Sequence, residues 1–164
     1  MPCVTHYTFS SIMRPFYAWY RAFLLLFCLA SPLAVAFDLQ GHRGARGLMP
    51  ENTLPAFERA LAIGVTTLEL DTGITADGVV LVSHDPVLNP DLVRGPDGQW
   101  VTVPTPIRSL TWAQLQQYDV GRLRPGSRYA QQFPLQQAVD GTRMPKLAVL
   151  FERVKSMGAN AVQF

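Results

Sequence analysis

His42, His84, Glu69 and Asp71 are the residues in this 164-residue chain whose types and spacing could do chemistry. Histidine titrates near neutral pH, so two of them could serve as general acid and general base. Glu69 and Asp71 stand two apart, which on a strand points both side chains to one face, with Leu68 and Leu70 on the other. Like charges on an inward face are costly unless a cation neutralises them. Hard divalent ions take carboxylate oxygens, so calcium or magnesium suits this pair better than zinc. Each feature also has an ordinary reading: a histidine after a strand can be a surface or capping residue, and alternating carboxylates can line a solvated face.

The elements that must position these residues follow from the patterning. Residues 37–40 alternate and predict a strand ending at Gly41, followed by a Gly- and Arg-rich loop to Pro50. A helix comes next: Asn52 or Thr53 can cap it, and Pro55 suits its first turn. Leu54, Phe57, Ala60 and Leu61 repeat at helical spacing, and Gly64 stops the helix. Residues 67–71 predict a second strand and 79–82 a third, with Asp77 and Gly78 as a turn between them. Both histidines then fall at C-terminal ends of strands, where a parallel barrel gathers its catalytic groups. Residues 146–157 predict a second helix with Leu147, Leu150, Phe151 and Val154 on one face and Gly158 as its stop, and a further strand begins at 161.

Between these, residues 86–143 hold most of the prolines and turn residues, with one short helix candidate over 111–118. Trp100, Trp112, Tyr118 and Phe133 can pack, so this span reads as an irregular insertion rather than a linker. The element order is that of an α/β fold with parallel strands. Only twelve residues separate Asp71 from His84, too few for a crossover helix as well as a strand. That link must be a hairpin-like excursion or a distorted barrel step.

Residues 1–36 read differently. Arg14 and Arg21 are their only charges, an apolar run spans 22–30, Ser31 and Pro32 break it, and Ala34 and Ala36 supply a small-residue site. This is the pattern of a secretory signal peptide cut after Ala36, with an apolar core too short for a comfortable bilayer span. The product is then expected to be exported, periplasmic or extracellular, with no stable membrane span after cleavage. Removal of two of the fourteen basic residues leaves twelve against twelve acidic ones. A formally neutral chain gives no support to nucleic-acid binding, which uses a basic face. Cys3 and Cys28 also leave with the segment, so neither a disulfide nor a thiolate metal site is expected.

Five short pieces make the reading specific: Gly41-His42-Arg43-Gly44, Pro50-Glu51-Asn52-Thr53, Glu69-Leu70-Asp71, Thr75-Ala76-Asp77-Gly78 and His84-Asp85, in that order within 45 residues. The series resembles the glycerophosphodiester phosphodiesterase family. That resemblance implies an eight-stranded (β/α)8 TIM-type barrel with a small insertion, and hydrolysis of small glycerophosphodiesters to glycerol 3-phosphate and an alcohol. It implies His42 and His84 as acid and base, with the order of roles open. Arg43 would hold the phosphate, Glu51 would order Arg43 or reach the substrate or metal, and Glu69 and Asp71 would bind the calcium or magnesium. Asn52 either meets the substrate or only caps the helix.

The chain also departs from that pattern. A barrel of this kind usually needs about 250 residues. Family members continue the next strand into a further Glu for the metal and a nearby Lys, and Glu152 and Lys155 lie in the preceding helix, at the wrong depth to replace them. Residues 37–164 are therefore expected to be the N-terminal part of an incomplete barrel, from a truncated reading frame or a fragment. Two alternatives stand beside the hydrolase reading: a related barrel phosphodiesterase acting on phospholipids, and an inactive exported fragment.

Overall fold

A computed structural model of the chain describes residues 37–164. The expected signal peptide and both cysteines lie outside the described residues.

The first strand, β1, spans Gln40–His42, later than the alternation over 37–40 suggested. Its position is set by its partner rather than by its own pattern. It pairs in parallel with β2, Thr67–Glu69, in the register Gln40↔Thr67, Gly41↔Leu68 and His42↔Glu69. The register places His42 directly beside Glu69 at the C-terminal end of the pair.

Helix α1, Leu54–Ile63, connects them. Thr53 is its cap, accepting from the Ala56 N–H at 3.4 Å, and Gly64 ends it in the left-handed conformation at φ 93°. Asn52, the other candidate, is not the cap. Ala56, Phe57 and Ala60 are buried on the inner face of α1. The small side chains at 56 and 60 let the loop after β1 lie almost on the helix. A Cβ on Gly44, at φ 79°, would come within 2.7 Å of the Ala56 carbonyl carbon, and one on Gly41 within 3.0 Å of the Ala60 Cβ. Position 44 therefore requires glycine, and a side chain at 41 would have to push its neighbours aside.

After β2 the chain leaves the sheet, so Asp71 lies just past the strand rather than within it. Strands β3, Thr72–Ile74, and β4, Val80–Val82, pair antiparallel across the turn at Gly78. Of the two routes open to so short a link, a hairpin-like excursion or a distorted barrel step, the hairpin is the one taken. The Ser83 N–H bonds the Asp71 carbonyl at 3.0 Å and closes the base of the hairpin. On the other side of β2, Gln163 bridges Thr67 in parallel, where the strand from 161 was expected.

Two apolar clusters meet across β4. Val82 joins Phe57, Ala60, Leu68, Leu150 and Val154 beneath α1 and α3, Leu147–Ser156. Leu81, its neighbour with the opposite facing, joins Leu88, Val93, Ile107, Leu115 and Met144. That second cluster is the core of the insertion. Only one short α-helix forms in this span, α2, Trp112–Leu115, held by a capping box between Thr111 and Gln114. Trp112 and Tyr118 pack onto the cluster as expected. Among the described residues no helix is long and apolar enough to cross a membrane.

Candidate active site

Arg43 is the centre of the polar network at the end of β1. Its backbone is left-handed, at φ 51°, as is that of Asn52, at φ 55°. A non-glycine residue holds this conformation only when its surroundings enforce it. The Arg43 N–H donates to Glu69 Oε2 at 2.7 Å, and the Arg43 carbonyl accepts from the Asn52 N–H at 3.0 Å. The twist turns the side chain back over the loop. Its guanidinium donates to Glu51 Oε1 at 2.9 Å, and its Nε lies 3.4 Å from Asp71 Oδ2. Burial works against the Arg43 charge, but the hydrogen bond and charge of Glu51, with Tyr129 and Asp71, outweigh it and raise its pKa.

Asn52 belongs to the same network. Its Nδ2 donates to Asp71 Oδ2 at 3.2 Å, while its Oδ1 is buried with no hydrogen-bond partner among the described residues. A buried acceptor without a donor is costly, so a site next to Asn52 favours an incoming N–H, O–H or cation.

His42 Nε2 is 3.7 Å from Glu69 Oε2, and its side chain is half exposed. His84 is also exposed; its Nδ1 lies 2.9 Å from Asp85 Oδ1, and Asp85 Oδ2 in turn accepts from Asn89 at 2.6 Å. A carboxylate on one ring nitrogen orients the ring and leaves Nε2 free. His84, Glu51 and Asn52 line one cleft of ≈ 40 Å³ with Asp85 and Asn89. That is room for water, so a diester would have to lie at its mouth. His42 lies outside this cleft.

The site residues anticipated from sequence thus form one connected set around Arg43, comprising His42, Glu51, Asn52, Glu69 and Asp71. His84 approaches from the hairpin through Ser83 and Asp71. In both Glu69 and Asp71 one oxygen takes the hydrogen bond, and the other has no donor among the described residues. An all-oxygen donor pair of this kind fits calcium or magnesium. No group of three or more His, Cys, Asp or Glu side chains that could hold a metal ion is present among the described residues.

Tyr129 is the member that sequence reasoning missed. Its hydroxyl donates to Glu51 Oε2, 78 positions away, from within the insertion. Burial first, then the Glu51 hydrogen bond and charge, push its pKa up to about 12, so it remains a donor. No periodicity or motif marks such a contact. Asp85 was visible beside His84 in the sequence, but only the structure shows its carboxylate on the ring.

A profile of the glycerophosphoryl diester phosphodiesterase family matches residues 42–162, which contain this entire network. The chain belongs to that family. It is 30% identical over 113 residues to the glycerophosphodiester phosphodiesterase of Caldanaerobacter subterraneus, covering 69% of this chain and 38% of that protein. A 44-residue stretch is 54% identical to human Lysophospholipase D GDPD1, covering 27% of this chain and 14% of that one. Among solved structures, a Silicibacter pomeroyi protein ascribed to the glycerophosphoryl diester phosphodiesterases aligns with a TM-score of 0.74 at 38% identity. That alignment covers 77% of this chain and 43% of the other. An Oleispira antarctica phosphodiesterase, solved with the product sn-glycerol 3-phosphate, aligns at 0.52 and 26% identity over 74% of this chain and 41% of its own. The α/β fold is therefore that of the solved family members. The chain spans less than half the length of each of these relatives.

Proposed function

We propose that this chain carries the phosphate-binding and acid–base part of a glycerophosphodiester phosphodiesterase, which hydrolyses a glycerophosphodiester to sn-glycerol 3-phosphate and an alcohol. The observation that carries the reading is Arg43, held between Glu51 and Asp71 at the end of the parallel β1–β2 pair. The product bound to the Oleispira antarctica relative supports the same substrate class.

In this reading the planar guanidinium of Arg43 pairs with two phosphoryl oxygens, replacing part of its contact with Asp71. One histidine takes a proton from the attacking nucleophile as its oxygen bonds to phosphorus. The other gives a proton to the alkoxide as its P–O bond breaks, so the alcohol leaves neutral. Asp85 holds the His84 ring for one of these roles, and Glu69 stands beside His42 for the other. Glu69 and Asp71 would hold a calcium or magnesium ion, which when bound draws charge from the phosphoryl oxygens. The two carboxylates are few for an ion that takes six or more oxygens. For that reason we propose that residues 37–164, as part of a (β/α)8 barrel, depend on donors from further strands. Residues 1–36 we assign to export, and 86–143 to the barrel's insertion.

The test is release of sn-glycerol 3-phosphate from glycerophosphocholine with calcium or magnesium. Residues 37–164 alone are expected to give no measurable turnover. Placed in the corresponding region of the Silicibacter pomeroyi relative, they should support turnover that a chelator abolishes and added cation restores. Chelator-resistant turnover would remove the metal from the reading, and substantial turnover by residues 37–164 alone would remove the need for further donors. A lysophospholipid run in parallel separates the phospholipid alternative.

A further inference from the structure

The insertion does more than cover the fold; it is fastened to the loop that carries Arg43. The Gln137 N–H bonds the Leu48 carbonyl at 2.8 Å, and the Gln136 side chain bonds the Arg46 carbonyl at 2.7 Å. The Arg46 guanidinium lies 5.0 Å from the centre of the Phe133 ring, which meets Tyr129 edge-on at 5.2 Å. These contacts bring Tyr129 over Glu51. The two oxygens of Glu51 are then divided: Oε1 takes the Arg43 guanidinium and Oε2 takes the Tyr129 hydroxyl. Glu51 is among the buried residues, at 8% exposure, so without the phenol one of its oxygens would face a dry environment unpaired.

We propose that Tyr129 is a positioning residue for phosphate binding: by holding Glu51 it fixes the rotamer and direction of the Arg43 guanidinium. The inference rests on the assignment of Arg43 to the phosphate. Its logic is that a carboxylate bonded at one oxygen only can swing with its arginine, whereas one bonded at both cannot. The left-handed backbone at Arg43 adds to the need, because that strain persists only while its surroundings hold the loop in place. The Tyr129 hydroxyl would then be the link from the insertion to the Glu51–Arg43 pair.

The test uses the full chain with calcium or magnesium, and two readouts. Calorimetric titration with sn-glycerol 3-phosphate should show Tyr129→Phe binding roughly tenfold more weakly than wild type, the range of one hydrogen bond to a charged group. In an Arg43→Ala background the same substitution should have no further effect, because Tyr129 acts only through Arg43. Independently of any ligand, ¹⁵N relaxation at Arg43 Nε should show an ordered guanidinium in wild type and a mobile one in Tyr129→Phe. The aromatic ring remains in that variant, so the fold should persist, with a thermal midpoint lowered only by the Glu51 oxygen left unpaired. If Tyr129→Phe binds within twofold of wild type and leaves Arg43 Nε ordered, the positioning role is overturned. If the phenol controls Arg43 order but Arg43→Ala does not weaken binding, positioning stands and the phosphate assignment fails. An equal loss from Tyr129→Phe with and without Arg43 would also overturn the proposal, since the effect would not pass through the arginine.

Discussion

Arg43 and His84 are built into the molecule in opposite ways. The Arg43 side chain is 12% exposed and is held by Glu51 from the loop before α1, by Asp71 beyond β2 and, through Glu51, by Tyr129 of the insertion. His84 is 42% exposed, and its one side-chain partner among the described residues is its sequence neighbour Asp85. The difference follows the work each would do. A group that aligns a phosphate gains from being immobile before the substrate arrives. A group that exchanges protons must be reachable from solvent and needs only its ring plane fixed. His42, half exposed beside Glu69, is of the second kind.

The contrast can be broken most forcefully at the histidines. In the grafted enzyme, His42→Ala and His84→Ala should each lower turnover by about 10²- to 10⁴-fold, the usual worth of positioned acid–base groups. Their thermal midpoints should stay near that of the parent, because both side chains are exposed. A variant that keeps a near-normal rate takes its histidine out of the mechanism.

Next in size is the loop that supports Arg43. Gly44→Ala adds a Cβ against the Ala56 backbone at a positive φ, and should cost on the order of 3 kcal/mol in urea denaturation. Gly126→Ala, at a similar φ of 77° but with no atom within 4 Å, should cost only about 1 kcal/mol. Equal losses would mean that the close approach of the loop to α1 is not what makes Gly44 necessary.

The smallest effect concerns acid. Asp77 titrates below its ordinary 3.8, through its hydrogen bond from Thr75 first and the Trp112 N–H second, and so ties the hairpin to α2. Asp38 is lowered in the same way, by Thr67 first and then Gln40 and Thr66, at the edge of β1 and β2. A lowered carboxylate contributes stability that is present above its unfolded pKa and is lost as pH falls through the folded one. Stability should therefore decline below about pH 4, more gently in Asp77→Asn and in Asp38→Asn than in wild type. Denaturation midpoints at pH 7 and pH 3 measure this. Unchanged slopes in either variant would mean that its carboxylate is no better held in the folded chain than in the unfolded one.

Much of the regular half was legible in the residues. The extent of α1 and its Gly64 stop depend on neighbours three and four positions away, and those are written locally. So is the Gly–His–Arg–Gly turn, whose last glycine sits where no side chain fits. The strands were less legible. Residues 37–40 alternate, yet β1 begins at Gln40, because a short parallel strand extends only as far as its partner. Asn52 showed the same limit from another side. Its type suits a cap, but its left-handed backbone turns its amide to Asp71 and leaves the cap to Thr53.

The sequence by itself therefore determined the family, the candidate acid–base and carboxylate residues, and the helix boundaries near them. All of these rest on residue types at short, fixed separations. Only the tertiary structure decided that the link from Asp71 to His84 is an antiparallel hairpin, that Asn52 faces Asp71, and that Tyr129 reaches Glu51 from 78 positions away. Those outcomes depend on where an irregular chain returns in space. Side-chain type and spacing carry no record of that path.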